Sequence, residues 1–202
     1  MTAGHAYAVL DRAERFHGAI FSVVTDRVSM PGGGQADRDY VRHVGAVAVV
    51  PLADDGRVLL VRQYRHPVGA LLWELPAGLV DVAGEPAADT ARRELAEEAD
   101  LRCDQLDLLL DMHTSPGFSD ELIRVFLARG LSPIAEADRF TREHEEAELT
   151  VAWFTLDEAV AMALRGDITN GPAIAGLLAA ARARDEDWHP LRDQNTPLAP
   201  NA

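Results

Sequence analysis

Residues 78–101 read GLVDVAGEPAADTARRELAEEADL. Within this stretch Ala88, Ala91, Leu95 and Ala99 recur at three- and four-residue steps, which predicts a helix over 85–99 with one apolar face. Pro86 suits its first turn, where a missing N–H leaves no bond unmade. On a helix each residue advances about 100°, so Glu94 and Glu98 sit about 40° apart and Glu97 about 60° to the other side of Glu94. Three carboxylates then share one arc while Ala91 and Leu95 turn toward the core. Like charges at i,i+4 destabilise a helix by a few tenths of a kcal/mol. A hard cation reverses that sign, because Mg²⁺ takes carboxylate oxygens, waters and substrate phosphates. The competing reading is a solvated acidic face, and the helix alone favours it; its surroundings decide.

Upstream, Ala19–Val28 reads as a strand, and Met30-Pro31-Gly32-Gly33-Gly34 breaks it. Tyr40–Val50 and Arg57–Tyr64 are β-rich runs, with Asp54-Asp55-Gly56 between them as a hairpin signal. Gly69–Leu75 is a short extended run. Downstream, Leu106–Leu110, Leu122–Leu127 and Glu148–Phe154 read as strands, and Ala135–Ala147 as an acidic loop. Thr155-Leu156-Asp157-Glu158 is a capping box that opens a helix ending near Gly166. Asn170-Gly171 precedes a last helix over 172–184. Residues 186–202, with three prolines, read as a flexible tail. There are no internal repeats. The sum is an α/β chain with a mixed sheet and helices on its faces.

The 202 residues fit one domain, and a hydrophobic content of 48% lets it bury a core. The net charge is −14 and all 19 basic residues are arginines. So acidic a chain is a poor long-range match for nucleic acid or an anionic membrane. An anionic substrate then needs bound cations and local arginines. Cys103 is the single cysteine, which excludes an internal disulfide and a cysteine zinc site. No His-Glu-x-x-His spacing occurs among the seven histidines. Gly117-Phe118-Ser119-Asp120 is not a nucleophile elbow, so a serine hydrolase is rejected. No basic-then-apolar leader opens the chain and no apolar run is long enough to span a bilayer, so the expectation is a cytoplasmic protein.

The quoted stretch resembles the Nudix box, whose pattern is Gly, five residues, Glu, seven residues, Arg-Glu, an aliphatic, any residue, Glu-Glu, any residue, Gly, an aliphatic. Of nine defined positions, seven match in register: Glu85, Arg93, Glu94, Leu95, Glu97, Glu98 and Leu101. Two depart: six residues separate Gly78 from Glu85, and Asp100 stands in place of the glycine. The first is a loop insertion, where added length costs little. The second falls just past the helix, where a left-handed conformation is needed and Asp is a tolerated substitute. The lead-in Trp73-Glu74-Leu75-Pro76-Ala77-Gly78, Pro116 fifteen residues past Leu101, the run Arg62–His66, and Met30–Gly34 followed by Arg38 resemble the ADP-ribose pyrophosphatase branch, nearest its actinobacterial members.

The resemblance implies a Nudix α/β/α sandwich over 41–185, with an N-terminal strand segment, 1–40, that pairs two chains into a homodimer. It implies Mg²⁺, with Mn²⁺ as a substitute, on Glu94, Glu98, Glu97 and the Ala77 carbonyl. Arg93 and Glu85 would brace the helix, while Glu74 is either a ligand or structural. A general-base glutamate on a loop after the box points to Glu146, with Glu145 as fallback; the alternative is that this loop is solvated charge. Arg38 and Arg65 would contact substrate, each competing with a plain surface salt bridge. Gly117 would allow close approach, and Ser119 and Glu121 would bind the terminal ribose. The implied reaction is hydrolysis of ADP-ribose to AMP and ribose 5-phosphate. The rivals are another nucleoside diphosphate substrate (an ADP- or GDP-sugar, a dinucleotide, FAD), a non-hydrolytic ADP-ribose sensor, and a plain acidic scaffold.

Overall fold

The computed structural model describes residues 6–142, 148–189 and 191–198. Chain contacts divide it into two compact units, residues 1–45 with 113–122, and residues 46–112 with 123–202.

The first unit is a three-stranded antiparallel sheet of β1 (Val9–His17), β2 (Phe21–Ser29) and β3 (Gln35–His43), in that order. Gly32 and Gly33 take left-handed angles in the β2–β3 turn, as the glycine run predicts. Few of its side chains are buried. Asp26 is one of them, and the Arg12 guanidinium grips its carboxylate with bonds of 2.6 and 2.7 Å while the Tyr40 hydroxyl adds a third at 3.1 Å. Segment 113–122 lies along β3: the Val41 N–H donates to the Phe118 carbonyl, and the Asp120 N–H to the Val41 carbonyl.

The second unit carries two sheets. One has the order β10 (Thr150–Thr155), β5 (Arg57–Arg65), β6 (Ala70–Glu74). The other has the order β11 (Arg192–Asp193), β8 (Leu101–His113), β9 (Leu122–Pro133), β4 (Ala46–Pro51), β7 (Ala77–Leu79). β4 pairs parallel with β9 and antiparallel with β7, so the sheet is mixed. Among the described residues three α-helices and a short 3-10 helix, Glu136–Asp138, complete the unit: α1 (Ala87–Ala99), α2 (Leu156–Arg165) and α3 (Gly171–Asp185).

The alternation of β4 explains the layering. Its side chains point to opposite faces in turn. Val47 and Val49 join Ala88, Ala91, Leu95 and Ala99 of α1 in one buried cluster. Ala48 and Val50 join Leu156, Ala159 and Met162 of α2 and Ala173, Leu177 and Ala180 of α3 in another. A sheet buried on both faces by helices is the expected α/β/α sandwich. At Gly176 an added Cβ would lie 2.8 Å from Leu75 Cδ1, so this glycine sets how closely α3 approaches.

The local signals hold at both later helices. Thr155 caps α2, its hydroxyl accepting the Glu158 N–H at 3.1 Å, and Asn170 caps α3 by accepting the Ala173 N–H at 2.9 Å. Gly166 and Gly56 take the positive φ that their turns require. The run Tyr40–Val50 is two strands, broken at Val44-Gly45 where Gly45 has φ +87°. Within the span read as a tail, Arg192 and Asp193 pair with Leu108 and Asp107 of β8. Among the described residues no helix is long and apolar enough to cross a membrane.

Candidate active site

The site is built on α1 and the three residues of β7 beside it. Glu94 and Glu98 are 7% and 4% exposed, so these carboxylates are not a solvated face. Burying a carboxylate is unfavourable unless donors or cations meet it. The backbone N–H of Ala77 donates to Glu98 Oε2 at 2.9 Å. Glu94 lies against Gly78, where an added Cβ would clash with all three carboxyl atoms. The glycine that opens the box is therefore the floor under the Glu94 carboxylate, despite the extra loop residue before Glu85.

Arg93 gathers the remaining charges. Its Nη1 donates to Glu94 Oε1 at 2.7 Å and to Glu97 Oε2 at 3.3 Å, and its Nη2 to Glu85 Oε2 at 3.2 Å. The bracing pair Arg93–Glu85 is thus present, and one guanidinium also orients two of the three expected ligand carboxylates. Burial works against the charge on Arg93, but the hydrogen bond to Glu85 and the nearby Glu94 and Glu97 carboxylates more than offset it and raise the guanidinium's pKa. The same hydrogen bond, helped by the Thr90 hydroxyl at 2.8 Å, holds the Glu85 carboxyl below its usual range. Thr90 carries no signal in the sequence: it sits five residues from Glu85, and only the bend before α1 brings the two together.

Among the described residues no three acidic, histidine or cysteine side chains are placed together to hold a metal ion, and only the chemistry of the expected donors suits a hard dication. Glu94, Glu97, Glu98 and the Ala77 peptide supply oxygens and no sulfur or imidazole, which is the preference of Mg²⁺ rather than of softer metals.

The other expected residues fall as follows. Glu74 is buried and its carboxylate is gripped bidentately by Arg65, at 3.0 and 2.7 Å, with Gln63 at 3.4 Å. In this structure Glu74 is thus engaged by Arg65, the salt bridge that competes with a substrate contact at Arg65. Arg38, Gly117, Ser119 and Glu121 belong to the other compact unit, and each is placed there by itself. Arg38 is exposed on β3 and donates to the Asp37 carbonyl at 3.0 Å. A side chain at Gly117 would meet nothing. Ser119 Oγ accepts the Glu121 N–H at 3.1 Å, and Glu121 Oε2 accepts the Thr114 hydroxyl at 2.6 Å. Glu145 and Glu146 lie outside the described residues.

The left-handed conformation expected just past the helix is present, and one contact beside it went unseen in the sequence. Asp100 takes φ 55°, ψ 35° at the end of α1, the left-handed conformation its place in the box demands. Its carboxylate is also held by Arg142 at 2.8 Å, a contact across 42 residues that no local pattern encodes.

A mixed sheet between helical layers, with two buried carboxylates on one helix seated against a short strand, defines the class of the chain as an α/β/α fold. The chain belongs to the Nudix family: the NUDIX domain matches residues 42–177. It is 49% identical over 177 residues to an ADP-ribose pyrophosphatase of Mycobacterium tuberculosis, covering 88% of this chain and 84% of that one. It is 38% identical over 146 residues to an ADP-ribose pyrophosphatase of Bacillus subtilis, covering 72% of this chain and 76% of that one. A crystal structure of an ADP compounds hydrolase superposes with a TM-score of 0.77 at 17% identity, over 93% of this chain and 100% of the other, a likeness of fold.

Proposed function

We propose that this chain hydrolyses ADP-ribose to AMP and ribose 5-phosphate with the help of a divalent cation. The observation that carries the reading is the pair of buried carboxylates, Glu94 and Glu98, fixed against Gly78 and the Ala77 N–H. The kinship to two ADP-ribose pyrophosphatases supports the substrate. The retention of every box carboxylate speaks against a sensor that binds without cleaving.

Glu94, Glu97, Glu98 and the Ala77 carbonyl would hold the ion, Mg²⁺ or in its place Mn²⁺. When bound, such an ion lowers the pKa of a water and neutralises phosphate oxygens. The chain's own residues do the rest. Arg93 orients Glu94 and Glu97 and keeps Glu85 ionised. Glu146, with Glu145 as fallback, accepts the proton from the water that attacks a phosphorus as the P–O–P link breaks. Arg65 would reach a phosphate by sharing its guanidinium between Glu74 and the substrate. Arg38, Gly117, Ser119 and Glu121 are the remaining substrate contacts, and for Ser119 and Glu121 binding would mean exchanging a hydrogen bond within their loop for one to a ribose hydroxyl.

The same reading gives a cytoplasmic homodimer joined through residues 1–40, with no nucleic-acid or membrane partner. Its support is the net charge of −14 and the exposed apolar side chains Val9, Leu10, Phe16 and Phe21 on β1 and β2. The test is incubation of the purified protein with ADP-ribose, with and without Mg²⁺, followed by chromatography. Metal-dependent AMP and ribose 5-phosphate are expected. Tight binding without product would move the reading to a sensor, and neither binding nor product would move it to another nucleoside diphosphate.

A further inference from the structure

Asp100 is a conformationally unfavourable choice. Glycine adopts left-handed angles without a Cβ penalty, whereas aspartate does not. Its backbone work is done equally well by glycine: its N–H returns to the Leu95 carbonyl and its carbonyl accepts the Ile134 N–H at 2.9 Å. What aspartate adds is a carboxylate, and Oδ2 of that carboxylate receives Arg142 Nη2 at 2.8 Å. Its Oδ1 is buried with no hydrogen-bond partner among the described residues, so its desolvation is uncompensated. The side chain is explained by Arg142.

Arg142 in turn makes two bonds at one place. Besides Asp100, its Nε donates to the Glu97 carbonyl at 3.0 Å. The last turn of α1 has no basic residue of its own. A guanidinium there complements the negative end of the helix and satisfies a terminal carbonyl. Glu97 is thereby held by two arginines, its carbonyl by Arg142 and its carboxylate by Arg93.

We propose that Asp100 and Arg142 are positioning residues for the reaction, a clasp that fixes where the chain enters the acidic run 143–147. This inference rests on the function proposed above. Glu146 is four residues beyond Arg142, which limits its backbone to about 14 Å from the clasp at 3.3–3.6 Å per residue. From Glu94 to Glu97 α1 rises about 4.5 Å. The tether is about three times as long as that rise, so a base four residues past the clasp is within reach of the whole row, and the clasp sits on the helix that carries the row. Shifting the anchor shifts the base relative to its water, and a misplacement of about 1 Å can cost about a hundredfold in rate.

The test uses the full chain with Arg142→Ala, Asp100→Gly, the double variant and Arg142→Lys. The readouts are kcat and KM for ADP-ribose, Mn²⁺ affinity, and amide hydrogen exchange. Each single variant is expected to lower kcat by about tenfold to a hundredfold with KM and Mn²⁺ affinity nearly unchanged. The double variant is expected to be no worse than the poorer single, because both remove one clasp. Arg142→Lys keeps the charge but not the two-pronged geometry, so it recovers part of the rate. Exchange at 143–149 is expected to accelerate while 91–99 stay protected. Unchanged kcat, losses that multiply in the double variant, or a parallel fall in Mn²⁺ affinity would each overturn the clasp. If the wild-type chain leaves ADP-ribose intact, the proposed function fails by itself, and exchange still decides: unaltered rates at 143–149 in Arg142→Ala refute the clasp.

Discussion

Gly78→Ala isolates the seat of Glu94. The new Cβ would stand 2.5 Å from Glu94 Oε2 and nearer still to Cδ and Oε1. Non-bonded heavy atoms settle at about 3.5–4.0 Å, so the carboxylate must move by at least about 1 Å. The obstruction is the far end of a flexible side chain rather than backbone, and Gly78 does not need a positive φ. Glu94 can therefore swing aside, and the stability loss should stay at the low end of the about 1–3 kcal/mol typical of overpacking. The function cannot swing with it. A ligand displaced by about 1 Å is expected to lose about a hundredfold in kcat/KM, about 2.7 kcal/mol of transition-state stabilisation. The assay is AMP release from ADP-ribose over a Mn²⁺ or Mg²⁺ titration, beside a thermal melt. A folded variant with wild-type turnover and metal affinity would refute the idea that Glu94 must occupy that seat.

Glu98→Gln should keep the fold, because a side-chain amide oxygen can still accept the Ala77 N–H, yet turnover should fall by orders of magnitude; full activity would remove Glu98 from the cation site. The Asp26 carboxyl is held below its usual range chiefly by the Arg12 hydrogen bond. Its contribution is thus complete above the ordinary carboxylate pKa of about 3.9 and fades as the pH falls below it. The Tm gap between wild type and Asp26→Asn should accordingly narrow from neutral pH to about pH 3, and a constant gap would contradict an ionic network. Burial pushes the Cys103 thiol up, so iodoacetamide should label it several-fold more slowly in the folded protein than in denaturant; equal rates would contradict that environment. Thr155→Ala removes the cap of α2 and should lower stability by about 1 kcal/mol, or Tm by about 2–4 °C, in a melt.

The parts legible in the sequence are those whose cause is local. The apolar stripe of α1, the Thr155 and Asn170 caps and the Gly56 hairpin each arise within a few residues. β1 was invisible because eight of the nine residues of Val9–His17 are exposed and the ninth only half-buried, leaving no alternation to read. β8 and β9 run past their apolar centres because neighbouring strands, not their own side chains, extend them. The carboxylates were legible as a pattern, but their burial was not: it depends on β7, three residues whose pairing to β4 has no periodic signature. Thr90 and Arg142 escaped for the same reason, each meeting its partner through the fold rather than through spacing.

The parallel pairing of β4 with β9 sets a schedule for the nascent chain. Val47 lies opposite Arg124, 77 residues later. At about 5–20 residues per second, β4 waits about 4–15 s on the ribosome for that partner. Val47, Ala48, Val49 and Val50, all fully buried in the finished protein, form a short valine-rich segment with no charge among them. Such a segment, with its β9 edge open for seconds, is a template for association with other chains. Yield in a cell is accordingly expected to depend on synthesis rate and chaperone supply more than on the melting temperature of the folded product.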